Sequence, residues 1–145
     1  MPFIKVWLHV VWSTKNRFPF LTKEIRQIVF EHIRQNATTK GIFLDCVNGY
    51  QDHIHCLVSL SSDQTISKLM QLIKGESSFW INKQNLCSEK FEWQEEYFAV
   101  SVSQSKIADV RAYIYNQEQH HEKKTFQQEY DEFIRNYEFA EQAIV

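Results

Sequence analysis

A chain of 145 residues, 43% hydrophobic and 23% charged, can build one domain with a real core and is short for two. No apolar run approaches the roughly twenty residues that span a bilayer, and no signal-peptide pattern opens the sequence. Three widely spaced cysteines, Cys46, Cys56 and Cys87, argue for a reduced cytosolic setting over a disulfide framework. The net charge of −2 does not announce a nucleic-acid binder, but it is unevenly spread: residues 1–50 hold seven Lys/Arg against three Asp/Glu, and residues 125–145 hold one against five. A basic face on an acidic protein still binds phosphates, because binding is local.

Phe3 to Ser13 is a β-branched and aromatic run and reads as a strand, with Ile4, Val6, Leu8, Val10 and Trp12 on one face and Lys5, Trp7, His9 and Val11 on the other. Thr14 to Pro19 is a turn exposing Lys15 and Arg17. Thr22 caps a first helix carrying Ile25, Ile28, Val29 and Ile33 at helical spacing, closed by Gly41. Ile42 to Asn48 is a second strand, and Gly49 to Asp52 a hairpin turn into a third, Gln51 to Leu60. Thr65 to about Gln84 is a second helix, with Ile66, Leu69, Met70, Ile73, Ser77 and Trp80 on one side and Lys74 outside the stripe. Tyr97 to Ser103 alternates as a fourth strand, Lys106 to His121 forms a third helix, and Phe126 to about Glu141 an acidic, Gln-rich amphipathic tail helix.

This order gives an α+β fold of the ferredoxin-like β-α-β-β-α-β plan: an antiparallel sheet with two helices on one face, followed by a C-terminal helix. Residues 1–121 hold the working parts, and 122–145 form an acidic helical tail within the same domain. First and third strands should be central neighbours, so that His9 shares the face left uncovered by the two packing helices with His53 and His55. Two stretches carry chemistry. In Asp52-His53-Ile54-His55 the imidazoles lie side by side on one strand face, a geometry that can grip one metal ion. In Arg111 to His121 (RAYIYNQEQHH), at about 100° per residue, Tyr113, Gln117 and His120 share a polar flank while Tyr115 points away. A tyrosine working with Gln117 is therefore Tyr113.

An Asp-His-hydrophobic-His strand followed some sixty residues later by Tyr-Ile-x-Asn-Gln on a helix resembles the HUH single-tyrosine transposases of small bacterial insertion sequences, whose relatives include the REP-associated tyrosine transposases. The resemblance runs from about Ile4 to His121 and includes His9 with Trp12 to Lys15, Lys74-Gly75 with Ser77-Ser78, and Trp93 to Tyr97. It implies metal-dependent cleavage and rejoining of single-stranded DNA, with Tyr113 as the nucleophile that leaves a 5′-phosphotyrosine and a free 3′-hydroxyl. It also implies that His53, His55 and Gln117 hold a divalent ion, Mg²⁺ or Mn²⁺, although two imidazoles suit Zn²⁺ or Mn²⁺ at least as well as Mg²⁺. His120 or His121 is an alternative to Gln117, and His9, His120 and His121 are candidate supports of the site. Lys15, Arg17 and Lys74 are candidate phosphate contacts. The expected partner is hairpin-bearing single-stranded DNA, and the expected assembly a homodimer that often pairs the tyrosine helix of one subunit with the histidines of the other. The expected location is the bacterial cytoplasm.

Other readings remain at this level. One is an RNA-binding sheet stacking bases on Trp7, Phe43 and Tyr50, although the glycine-aromatic signature of such sheets is absent. Another is a metal-dependent phosphodiesterase, such as a zinc hydrolase using His53, His55 and His120. A third is a domesticated or inactive relative that only binds hairpins. Gln51 stands where many family members carry proline, and Ser101 to Ser105 lacks a glycine hinge before the tyrosine helix.

Overall fold

The computed structural model describes residues 3–137. Four strands, β1 (Trp7–Ser13), β2 (Phe43–Gly49), β3 (His53–Ser59) and β4 (Phe98–Val102), form one sheet in the order β2-β3-β1-β4. All neighbours are antiparallel. The α+β ferredoxin-like plan expected from the sequence is the observed one, with β1 and β3 at the centre. β1 begins at Trp7 rather than Phe3 because Trp7 pairs Ser59 on one side and Val102 on the other, where both partner strands end. Phe3, Ile4 and Val6 are accordingly exposed.

Helix α1 (Lys23–Thr39) starts at Thr22, whose hydroxyl accepts from the Ile25 N–H, and Gly41 follows it at φ 71°. It turns Val29, Phe30, Ile33 and Ala37 inward, while Ile28 lies 47% exposed, contrary to the expected stripe. The second helix is interrupted. α2 (Ile66–Met70) passes through a π turn (Gln71–Gly75) into α3 (Glu76–Lys83). The extra residue rotates the downstream turns by about 100°. Ile81 is therefore fully buried where an uninterrupted helix would place Trp80, and Trp80 stacks instead on His32 at 3.8 Å. These helices and the Leu8, Val10, Trp12, Ile54, Cys56 and Val58 face of the sheet enclose the main core.

The opposite sheet face is not open. Helix α4 (Ile107–Tyr115) packs Ile107 and Ile114 on Trp7, Cys46 and Leu57. It is held there by Arg111, which forms two hydrogen bonds of 2.8 and 2.9 Å with Asp45, the residue at the β2 bulge. Asn48 donates to the Ile114 and Tyr115 carbonyls at its C-terminal end. The expected third helix breaks at Asn116 (φ −95°, ψ 19°) and resumes as α5 (Gln117–His121). Helix α6 (Phe126–Tyr137) then covers the histidine face, with Phe126 stacked on His53 and Phe133 near His9 and His55. The expected continuation of α6 to Glu141 lies outside the described residues. Among the described residues no helix is long and apolar enough to cross a membrane.

Candidate metal and nucleophile site

The strand registers bring the histidines together. Val11 stands opposite His55, Ser13 opposite His53 and His9 opposite Leu57, so all three rings share one face. The Gly49 position is tight: a Cβ there would meet the His53 carbonyl oxygen at 2.1 Å, so glycine lets the hairpin close immediately before the histidine strand. His53 and His55 are fully buried and His9 nearly so. Burial, reinforced by the neighbouring His55, lowers the His9 pKa to about 3. Burial lowers that of His55 to about 4, so both rings are neutral near pH 7.

The hydrogen-bond partners assign the tautomers. His53 Nδ1 lies 2.8 Å from Asp52 Oδ1, which can only accept, so the ring proton sits there. His53 Nε2 is then a bare lone pair facing Gln117 Oε1 at 3.1 Å. The Gln117 amide is oriented by donating its N–H to the Tyr113 carbonyl, and its side chain is completely buried. His55 shares one hydrogen bond with His9, Nδ1 to Nε2 at 2.9 Å. Acceptor facing acceptor in a dry site is unfavourable unless a cation lies between them. The donor set of His53, His55 and Gln117 therefore fits the divalent ion that the resemblance implies.

The Tyr113 ring is half-buried, 5.6 Å from His55 and 6.2 Å from His9 between centroids. Its hydroxyl lies 3.4 Å from His120 Nε2 and donates to Glu129 Oε2. Burial, with the Glu129 charge adding to it, pushes the phenol pKa well up, so the hydroxyl keeps its proton at neutral pH. Tyr115 is 55% exposed on the other side, as the helical count indicated. The break at Asn116 leaves Tyr113 and Gln117 on the same side of the helix.

Glu129 was not among the site residues expected from the sequence. It is 1% exposed, with Oε1 3.0 Å from His55 Nε2 and 3.4 Å from His53 Nε2. Its Oε2 lies 3.1 Å from His120 Nε2. A faint signal did exist, since Phe126, Glu129, Tyr130 and Phe133 share one face of α6. An acid inside an apolar stripe needs a partner. Asp52, Asn48 and the Asp45–Arg111 pair were likewise missed as residues that orient or anchor the site.

The three candidate phosphate contacts are already partnered. Lys15 pairs with Glu92 at 2.8 Å. Arg17, expected in the open, hydrogen-bonds Gln127 and lies over the Phe126 and Tyr130 rings. Lys74 donates to the Gln94, Glu95 and Glu96 carbonyls, and burial lowers its pKa to about 8.

An antiparallel ferredoxin-like sheet that sets a histidine pair opposite a helix-borne tyrosine is the architecture of a single-tyrosine HUH transposase. The family model for IS200-like transposases matches residues 3–117, and the chain belongs to that family. It is 25% identical to the ISDra2 transposase TnpA of Deinococcus radiodurans over 115 residues, taking in 75% of this chain and 81% of the relative. A crystal structure of a putative transposase from Deinococcus radiodurans R1 superposes with a TM-score of 0.62 at 25% identity, covering 80% of this chain and 93% of that one. A REP-associated tyrosine transposase solved with a REP hairpin shares the fold, with a TM-score of 0.55 at 16% identity over 79% of this chain and 66% of that one.

Proposed function

We propose that the protein is a DNA transposase that cleaves and rejoins single-stranded DNA at hairpin-bearing element ends in the bacterial cytoplasm, with Tyr113 as nucleophile. The observation that carries this reading is the convergence, within one chain, of the Tyr113 phenol, the bare His53 nitrogen and the Gln117 amide oxygen on one buried spot. Attack by the phenol oxygen forms a tyrosyl–phosphorus bond as the bond to the 3′-oxygen breaks. The phosphoryl group stays transferable, because a phenol is also a fair leaving group. A divalent ion, Mg²⁺ or Mn²⁺, held by His53, His55 and Gln117 would neutralise the phosphate oxygens and ease formation of the phenolate.

The chain's own residues do the rest. Asp52 fixes the His53 tautomer, His9 steadies His55, and Asp45, Arg111 and Asn48 hold α4 so that Tyr113 faces the pair. His120 supports the tyrosine side and His121 packs against His53. Because the chain's own tyrosine reaches its own histidines, this reading assembles the site within one subunit, whether or not a dimer forms. Lys74 reaches DNA only after giving up its three carbonyl partners, whereas Lys15, more than half exposed beside Glu92, keeps donors for a phosphate.

The rivals fit less well. A base-stacking sheet needs an open face, and this one lies under α4 and α6. A zinc hydrolase using His120 would need that ring beside His53 and His55, whereas it faces Glu129 Oε2 and the phenol. The test is a denaturation-resistant protein–DNA adduct formed with Mn²⁺ or Mg²⁺ and a single-stranded element end. Tyr113→Phe abolishes it and Tyr115→Phe does not. His53→Ala abolishes cleavage while hairpin binding survives, which an inactive hairpin-binding relative would not require. An adduct persisting in Tyr113→Phe overturns the assignment.

A further inference from the structure

We infer that the tail helix α6 supplies the metal centre with another protein ligand, Glu129, whose Oε1 joins His53 Nε2, His55 Nε2 and Gln117 Oε1 around the ion. The inference rests on the metal-dependent reading above and extends it to a residue beyond the stretch that the family model matches, residues 3–117.

Spacing is the first argument. Ligands about 2.1 Å from an ion lie about 3.0 Å apart at right angles and about 3.4 Å apart at tetrahedral angles. The observed separations are 3.0 Å from Glu129 Oε1 to His55, 3.4 Å to His53, and 3.1 Å between His53 and Gln117. The His53, His55 and Glu129 donor atoms all lie within 4.8 Å of one another.

Proton counting is the second. A neutral His53 has one ring proton but meets acceptors at both nitrogens, Asp52 Oδ1 at Nδ1 and Gln117 Oε1 with Glu129 Oε1 at Nε2. With the proton at the shorter Asp52 contact, a lone pair faces the carboxylate. The same conflict recurs on the other side of the carboxylate. His121 Nδ1 donates to the Lys124 carbonyl at 2.7 Å, which leaves Nε2 bare and 3.4 Å from Glu129 Oε1. That His121 side chain is 2% exposed, and its Nε2 has no hydrogen-bond partner. Two independent bare imidazole nitrogens thus converge on one carboxylate oxygen.

Burial is the third. The carboxylate is 1% exposed, and the side chains within ion-pair reach of it are imidazoles: His53, His55, His120 and His121. No Lys or Arg among the described residues pairs with it. The Tyr113 hydroxyl serves Oε2 and His55 Nε2 lies 3.0 Å from Oε1, but a dry carboxylate that also faces two nitrogens without a proton to give is better satisfied around a cation. The resulting set of two imidazoles, one carboxylate and one amide oxygen suits Mn²⁺ or Zn²⁺ better than Mg²⁺, and it forms without DNA.

The experiment is Mn²⁺ titration of the full chain without DNA, by calorimetry and by electron paramagnetic resonance, for wild type, Glu129→Gln and His53→Ala. Wild type binds one ion, His53→Ala abolishes binding, and Glu129→Gln weakens it by at least about tenfold. Circular dichroism checks that each variant folds. Hydrogen exchange on the wild-type chain removes dependence on any variant: Mn²⁺ slows exchange across residues 126–137. Wild-type affinity in Glu129→Gln, or unchanged exchange in α6 while His53→Ala still loses the ion, overturns the role of Glu129 and leaves the metal reading intact. A wild-type chain that binds no ion overturns both.

Discussion

Removing the Asp52 carboxylate separates orientation of the centre from folding. Its Oδ1 lies 2.8 Å from His53 Nδ1 and its side chain is about a quarter exposed, while the His53 ring is fully buried. Asp52→Ala keeps the backbone carbonyl that accepts from the Thr14 N–H and hydroxyl, so the strand entry stays anchored. What changes is the ring proton. Without an acceptor at Nδ1 the proton moves to Nε2, where Gln117 Oε1 at 3.1 Å and Glu129 Oε1 at 3.4 Å accept it well. The ion-free protein therefore loses less than about 1 kcal/mol of stability, as one hydrogen bond replaces another. Metal binding must now displace that proton and turn the tautomer back. Loss of such a supporting acceptor costs about 10- to 100-fold in affinity, or roughly 1.4–2.7 kcal/mol. Calorimetric Mn²⁺ titration gives the affinity loss and urea unfolding in chelator the stability loss. Wild-type affinity in Asp52→Ala, or a stability loss as large as the affinity loss, refutes the tautomer argument.

The same geometry sets other expectations. Trp93 donates its indole N–H to the fully buried Ser77 hydroxyl at 2.9 Å, so Ser77→Ala strands that N–H and lowers unfolding free energy by about 1–3 kcal/mol. Gly49→Ala drives a Cβ into the His53 carbonyl. It should cost on the order of 2 kcal/mol or more in urea unfolding and weaken Mn²⁺ binding in parallel, because the strand carrying His53 must shift. In chelator, stability falls as pH drops. His9 and His55 have native pKa values near 3 and 4 against about 6.5 unfolded, so the unfolded chain takes up protons first. The loss begins as pH passes below about 6.5, approaches about 1.4 kcal/mol per unit for each histidine, and levels off below the native values; a flat profile from pH 7 to 4 would contradict the burial argument. Finally, in-line attack needs phosphorus about 3–3.5 Å from the Tyr113 oxygen, where the Glu129 carboxylate now stands. Adding a single-stranded element end to the Mn²⁺-bound chain should therefore speed hydrogen exchange across residues 126–137, the reverse of the effect of the ion alone.

Alternation with period two made the two sheet faces legible, because β1 and β3 each carry one continuous apolar row and one mixed row with the histidines. Pairing limits were not legible: Phe3 to Val6 has strand composition, but a strand needs a neighbour, and both neighbours stop at Trp7. The π turn also left no mark in the pattern, since Trp80 and Ile81 are both apolar and only a backbone count distinguishes which faces inward. The role of the tail was open: an acidic amphipathic helix bearing Glu129, Asp131 and Glu132 could cover the site, stabilise a dimer or repel wrongly docked DNA, and periodicity alone does not single out Glu129 among its acids. In the structure its apolar stripe docks on the histidines, and Glu129 is carried in with Phe126 and Phe133. The apolar rings would dock with or without an ion, whereas the Glu129 carboxylate, which accepts from the Tyr113 hydroxyl and faces His55 Nε2 at 3.0 Å, depends on which surrounding nitrogens carry protons or an ion. Docking of α6 is thereby tied to the charge state of the centre it covers.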